Sequence, residues 1–178
     1  RGYSPEGEMT ENGKAVKPDS AILELLRVGA LCNNAHLRNE GILGDPTEAA
    51  VLVSAAKAGM QYEEEAQRME RIDEIPFTSE RKRMSTLHKA DKGYYVAAKG
   101  ATEFVLEHCT HMLNAKGKTI PLTATLKKQI LDENRRMASE ALRVLGFAYK
   151  PVAKKISGEK AMESNLIFAG LQGMMDPP

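Results

Sequence analysis

Tryptophan is missing from this 178-residue chain, and tyrosine and phenylalanine together supply only nine residues, five and four. Cysteine is scarcer still. Cys32 and Cys109 are too few for a disulfide framework, so they read as free thiols in a reducing compartment. Neither sign of charge predominates: 25 Lys+Arg stand against 24 Asp+Glu, a formal net charge of +1. That balance argues against a dedicated nucleic-acid binder and against general attraction to anionic lipid. Long apolar runs are lacking too. The richest, Ala49 to Met60, is broken by Ser54 and Lys57 and falls far short of the roughly 18 apolar residues a spanning helix needs. Nothing at Arg1 reads as a signal peptide. What is present is 42% hydrophobic and 28% charged, the composition of a foldable domain. The length suits a single domain over residues 1–178, expected to be soluble, intracellular, monomeric and without membrane contact of its own.

Breakers and periodicity divide the chain. Asn12-Gly13 suits a tight hairpin turn within a strand-or-loop opening. Asp19 or Ser20 can cap a helix built on Ile22, Leu23, Leu25, Leu26 and Ala30. A second helix follows Gly44, with Asp45 as cap, Pro46 in the first turn and Glu48 placed for a capping box. Gly59 ends it, and a short charged helix is expected over Tyr62 to Glu70. Three strands are predicted over Arg71–Phe77, Lys82–Lys89 and Tyr94–Lys99, the last two joined through Asp91-Lys92-Gly93. A helix from Ala101 to Cys109, a hairpin around Asn114–Gly117 and a long helix from Thr123 to Ala141 follow. The tail holds strands Arg143–Lys150 and Leu166–Met175, then Asp176-Pro177-Pro178, which reads as a rigid linker. Hairpins outnumber parallel crossovers, which predicts an α+β fold: an antiparallel β-sheet flanked by helices. Both ends beside strands suit a domain inserted into a longer host.

Several motifs fail on inspection. Gly117-Lys118-Thr119 ends like a phosphate loop, but Met112 stands where its first glycine belongs. His108, Cys109 and His111 lack a second ligand pair at matching spacing, so no metal site is expected. Neither cysteine has a base partner in sequence. Glu63-Glu64-Glu65 reads as a solvated helix face, and Asp91-Lys92-Gly93 as a turn.

Four segments suit an anionic planar ligand. Phe77-Thr-Ser-Glu-Arg-Lys-Arg-Met-Ser85 sets an aromatic ahead of a basic cluster, where Phe77 and Met84 offer a face for a base and Lys82 a cation for phosphate. The plainer alternative makes Phe77 core and Arg81-Lys82-Arg83 a solvated strand edge. Lys99 ends an apolar strand just before a helix, and small residues around Gly100 leave room for close approach. Arg143 stands between apolar neighbours at a helix-to-strand junction, either paired structurally or held out for phosphate. Glu48 is explained equally well as part of a cap. The residues by themselves reach a possible nucleotide pocket and stop there.

Together the segments resemble the nucleotide-binding domain of P-type cation-transporting ATPases, calcium-pump-like branch. The matching stretches are Tyr-Ser-Pro-Glu-Gly-Glu (3–8), Gly-Asp-Pro-Thr-Glu-Ala (44–49), Phe77–Ser85, Lys-Gly-Ala (99–101), Leu-Arg-Val-Leu (142–145) and Met-Asp-Pro-Pro (175–178), in family order. The resemblance implies that Phe77 stacks on adenine, Glu48 sits at the adenine edge, and Met84 and Lys99 line the pocket. It further implies that Gly100 gives the ligand room and that Lys82 and Arg143 meet the phosphates. Ser79 replaces an arginine found in some calcium pumps, and Thr102 stands where many relatives have proline. ATP is the implied ligand, with Mg2+ held mainly by a phosphorylation domain absent here. That domain, which carries the phosphorylated aspartate, and an actuator domain are the implied partners within a multi-pass membrane protein. No catalytic residue is expected in this chain, which should bind ATP without hydrolysing it. Two rivals remain at this stage: a non-enzymatic interaction module docking through residues 81–85, and a self-contained ATP-using enzyme.

Overall fold

The computed structural model describes Ser4, residues 6–38 and residues 41–175. Tyr3 and Pro5 of the opening motif, the Asp176-Pro177-Pro178 linker, and with them the expected approach of the two ends, lie outside the described residues. Asn12 and Gly13, at φ 51° and 76°, turn β1 (Thr10–Glu11) back onto β2 (Lys14–Ala15) as expected. Helix α1 (Ser20–Leu31) starts where Asp19 accepts from the Ile22 amide at 2.8 Å. The hairpin of β3 (His36–Arg38) and β4 (Gly41–Leu43) was not anticipated, because three-residue strands are too short to show an alternating pattern. Helix α2 (Pro46–Lys57) begins on Asp45, which accepts from the amides of Thr47 at 2.8 Å and Glu48 at 3.2 Å. The short α3 (Tyr62–Arg68) buries none of its residues.

An antiparallel meander follows: β5 (Arg71–Ile75), β6 (Arg83–Lys89) and β7 (Tyr94–Gly100). Its first strand stops two residues short of Phe77. The second starts one residue late because Lys82 takes φ 50°, a left-handed conformation no strand contains. Helix α4 (Thr102–Leu106) is shorter than predicted, since Cys109 opens β8 (Cys109–Leu113), which pairs with β9 (Thr119–Pro121). Thr123 caps α5 (Ala124–Ser139). Then come β10 (Arg143–Val152), a single helical turn α6 (Glu159–Met162) inside what reads as a loop, and β11 (Leu166–Met174).

Seven strands form the main sheet in the order β5-β6-β7-β10-β11-β8-β9. Every pair is antiparallel except β11 with β8. The fold is α+β as predicted, with that one parallel exception. One face carries α1 over β7, β10 and β11, and α2 packs on α1. Gly29 allows this close approach, since a Cβ there would lie 2.6 Å from Val51 on α2. The other face carries α4 and α5. Each layer has its own core: Val28, Leu31, Tyr95, Ala97 and Phe147 on the α1 side, and Val96, Ala98, Val105, Met162 and Phe168 on the other.

Strand alternation then decides what faces where. Directly paired residues share a face and successive residues change it. Met84 pairs with Lys99, and Lys99 with Phe147, so these lie on the α1 side, as does Arg143 four residues before Phe147. Arg83, Ser85 and Gly100 belong to the opposite face. The start of β6, the end of β7 and the start of β10 meet at one end of the sheet.

Candidate functional site

That end of the sheet collects the candidate residues from four stretches of sequence. Lys99 is 6% exposed, and a buried ammonium needs a counter-charge. Glu48 supplies it: Lys99 Nζ donates to Glu48 Oε1 at 2.5 Å. Glu48 Oε2 accepts from the Asn34 amide at 3.2 Å. The expected capping box is therefore not formed. Asp45 caps the helix alone, leaving the Glu48 carboxylate to turn towards the sheet. Beneath the pair, Met84 is 4% exposed as the cross-strand neighbour of Lys99, and the Cys32 thiol lies 3.7 Å from its carbonyl oxygen. Arg143 reaches the same corner from β10, its Nη1 donating to Thr47 Oγ1 at 2.7 Å, one residue before Glu48.

The remaining candidates lie in and against the loop between β5 and β6. Phe77 is not core: it is 58% exposed and stands beyond the end of β5. Lys82 turns over the Phe104 ring of α4, 5.0 Å from its centroid, a cation–π contact on the face of the sheet opposite Lys99. Gly100 has a structural reason that the sequence did not disclose. A Cβ there would lie 2.3 Å from the Lys82 carbonyl oxygen, which accepts from the Ala101 amide at 2.9 Å. Glycine lets the loop's exit seat against the end of β7.

The basic run itself is divided by the strand. Arg81 and Arg83 are not a solvated edge and do not form a docking strip. Arg83 Nε donates to Glu163 at 2.6 Å and its Nη2 to Glu159 at 3.0 Å, while Arg81 pairs with both carboxylates. Ser85 Oγ also donates to Glu163, at 2.8 Å. Met84 and Ser85 are buried, so of residues 81–85 it is Lys82 whose charge stays exposed at the loop.

A family model described as "P-type ATPase, cytoplasmic domain N" matches residues 21–178. The chain belongs to the P-type ATPases, as their N domain. It is 47% identical over 154 residues, 86% of this chain, to "Calcium-transporting ATPase 1" of Bacillus cereus. Over 99% of its length it is 39% identical to "Cation-transporting ATPase pma1" of Synechocystis and 33% identical to "Calcium-transporting ATPase" of Bacillus subtilis. It spans 17–21% of the length of these relatives. Among the described residues, no helix is long and apolar enough to cross a membrane.

Other features of this N domain fit the assignment. Thr102 is the first residue of α4, the position where proline is accommodated in a helix, and its hydroxyl instead donates to Asn134 on α5 at 2.7 Å. Ser79 is exposed in the Phe77 loop. Burial pushes the Cys32 thiol up to about 11 and the Cys109 thiol up to about 12, so both stay protonated and act as core residues. Among the described residues no three His, Cys, Asp or Glu side chains gather to hold a metal ion. This donor set does not fit a resident Mg2+, and the cations of the site are side chains. A cavity of about 380 Å3 lined by Arg27, Met69, Asp91, Lys92 and Tyr95 lies apart and includes none of the seven predicted residues. Sequence reasoning missed Thr47 and Asn34, which hold Arg143 and Glu48. Thr47 stood inside a quoted motif; Asn34 carried no signal.

Proposed function

We propose that this N domain binds ATP at the sheet end where Lys99, Glu48, Met84 and Arg143 meet below the Phe77 loop. The observation that supports it is convergence: an exposed aromatic, three cations and a carboxylate, from four separate segments, lie at one end of one sheet. Adenine stacks on Phe77 over Met84, with the Glu48–Lys99 pair at its polar edge. Lys82 and Arg143 take the phosphates. The γ-phosphate is presented to an aspartate in a phosphorylation domain of the same longer chain, which with an actuator domain forms a membrane pump for cations, calcium by resemblance. Hydrolysis is not the work of this domain: the phosphorylated aspartate and the metal ligands belong to the phosphorylation domain.

One stacking contact of ~1–3 kcal/mol with a few part-solvated phosphate contacts gives about 4–6 kcal/mol net. The corresponding Kd is about 0.04–1 mM. Such weakness suits a domain that must release ADP every cycle. The test is titration with ATP and with adenosine, followed by NMR. Phe77→Ala weakens both ligands alike, whereas Arg143→Ala weakens ATP and spares adenosine. Equal effects of the two variants on both ligands would refute this division of labour.

A further inference from the structure

Phe77 stands exposed on the loop from Pro76 to Lys82, yet a stacking platform must be held still to be useful. The loop is braced by its own Arg81. Arg81 Nη1 donates to the Pro76 carbonyl at 2.7 Å, gripping the peptide that leads into Phe77. The Arg81 amide donates to Thr78 Oγ1 at 3.2 Å, and the Lys82 amide to the Thr78 carbonyl at 2.8 Å. The rest of the Arg81 guanidinium points away from the loop, to Glu159 and Glu163.

Glu163 is the fixed point. Its side chain is 1% exposed, and it accepts from Arg81, Arg83 and Ser85 together. It follows directly on α6, which is itself anchored: Met162 is fully buried, and Lys150 on β10 donates to the carbonyls of Ala161 and Ser164 at 2.6 Å each. A forked guanidinium between a rigid carboxylate and a loop carbonyl transmits position as well as charge. We infer that Glu163 is a positioning residue for the nucleotide site, holding through Arg81 the loop that presents Phe77 and Lys82. It touches no ligand and acts through the brace. The inference rests on the reading of this end of the sheet as an ATP site.

The experiment measures ATP and adenosine affinity for the wild-type chain, Glu163→Gln, Arg81→Lys, Phe77→Ala and the double variant Glu163→Gln/Phe77→Ala, at a temperature where each is folded. Leu113→Ala, a core change on β8 across the sheet, controls for destabilisation. Loosening one stacking side chain predicts that Glu163→Gln weakens both ligands about threefold to tenfold. Arg81→Lys, which leaves Glu163 its Arg83 and Ser85 partners, weakens both in the same direction and decides the question if Glu163→Gln does not fold. In the Phe77→Ala background the Glu163 effect on adenosine disappears, which a merely structural role would not produce. Leu113→Ala leaves both affinities unchanged. Wild-type affinities in Glu163→Gln or Arg81→Lys, or an undiminished loss without Phe77, overturn the inference. A wild-type chain that binds neither ligand overturns the ATP reading beneath it.

Discussion

Strands β6 and β7 end in two ionic clusters, one on each face of the sheet, and the two are built differently. On the α1 side one ammonium, Lys99, meets one carboxylate, Glu48, whose other oxygen accepts from the Asn34 backbone amide at 3.2 Å. On the α6 side the buried carboxylate of Glu163 is enclosed by two guanidiniums and a hydroxyl, and Glu159 shares both guanidiniums from the solvent side. An ammonium is a compact charge that can exchange one acceptor for another, whereas a guanidinium fork fixes direction. The first cluster is therefore suited to meeting a ligand and the second to holding a loop. Arg83, Met84 and Ser85 alternate between the two faces simply because a strand shows successive side chains to opposite sides.

The contrast can be broken most directly at Glu163. Glu163→Ala takes from two part-buried guanidiniums their buried partner, leaving them the half-exposed Glu159, and costs about 3 kcal/mol, read as a fall in the denaturant midpoint. A loss no larger than that from disrupting the Glu48–Lys99 pair would erase the difference between the clusters. Acid titration sharpens it further. Burial holds His88, 2% exposed at the other end of β6, down at about 4 from 6.5, against the raising effect of its bond to the Met69 carbonyl. The unfolded chain takes up that proton first, so stability is full above pH 6.5 and falls by about 3 kcal/mol as pH drops towards 4. For Glu163, burial raises the carboxyl, and its bonds from Arg81, Ser85 and Arg83 outweigh it, leaving the group below its usual 4.5. Its contribution is present above pH 4.5 and lost only as pH falls further. His88→Gln should abolish the first loss and keep the second, measured as unfolding free energy against pH. The smallest effect is expected at the other cluster. Replacing the pair together, Glu48→Gln with Lys99→Met, costs less than about 1 kcal/mol of stability while weakening ATP. A large stability loss there would make that pair structural too.

The helices and most strands were readable because their signals are local. Asp45-Pro46 starts α2, Asn12-Gly13 turns a hairpin, and alternation marks β7. The family was readable from six short stretches whose order matters more than any one of them. Glu163 was not readable. It lies in an unremarkable segment after a one-turn helix, and its partners are 78 to 82 residues away. Gly100 was picked out as room for a ligand, whereas what approaches it in the fold is the Lys82 backbone.

Composition and short-range pattern were enough to specify an α+β domain with no spanning helix among its described residues and a handful of candidate cations. They act through neighbours in the chain, so they can be read along it. Which cation meets a ligand and which holds the scaffold was decided only when β6, β7, β10 and α6 came together. Burial, pairing and the choice of sheet face are properties of segments distant in sequence, and charge alone does not distinguish Lys82 from Arg81 or Arg83.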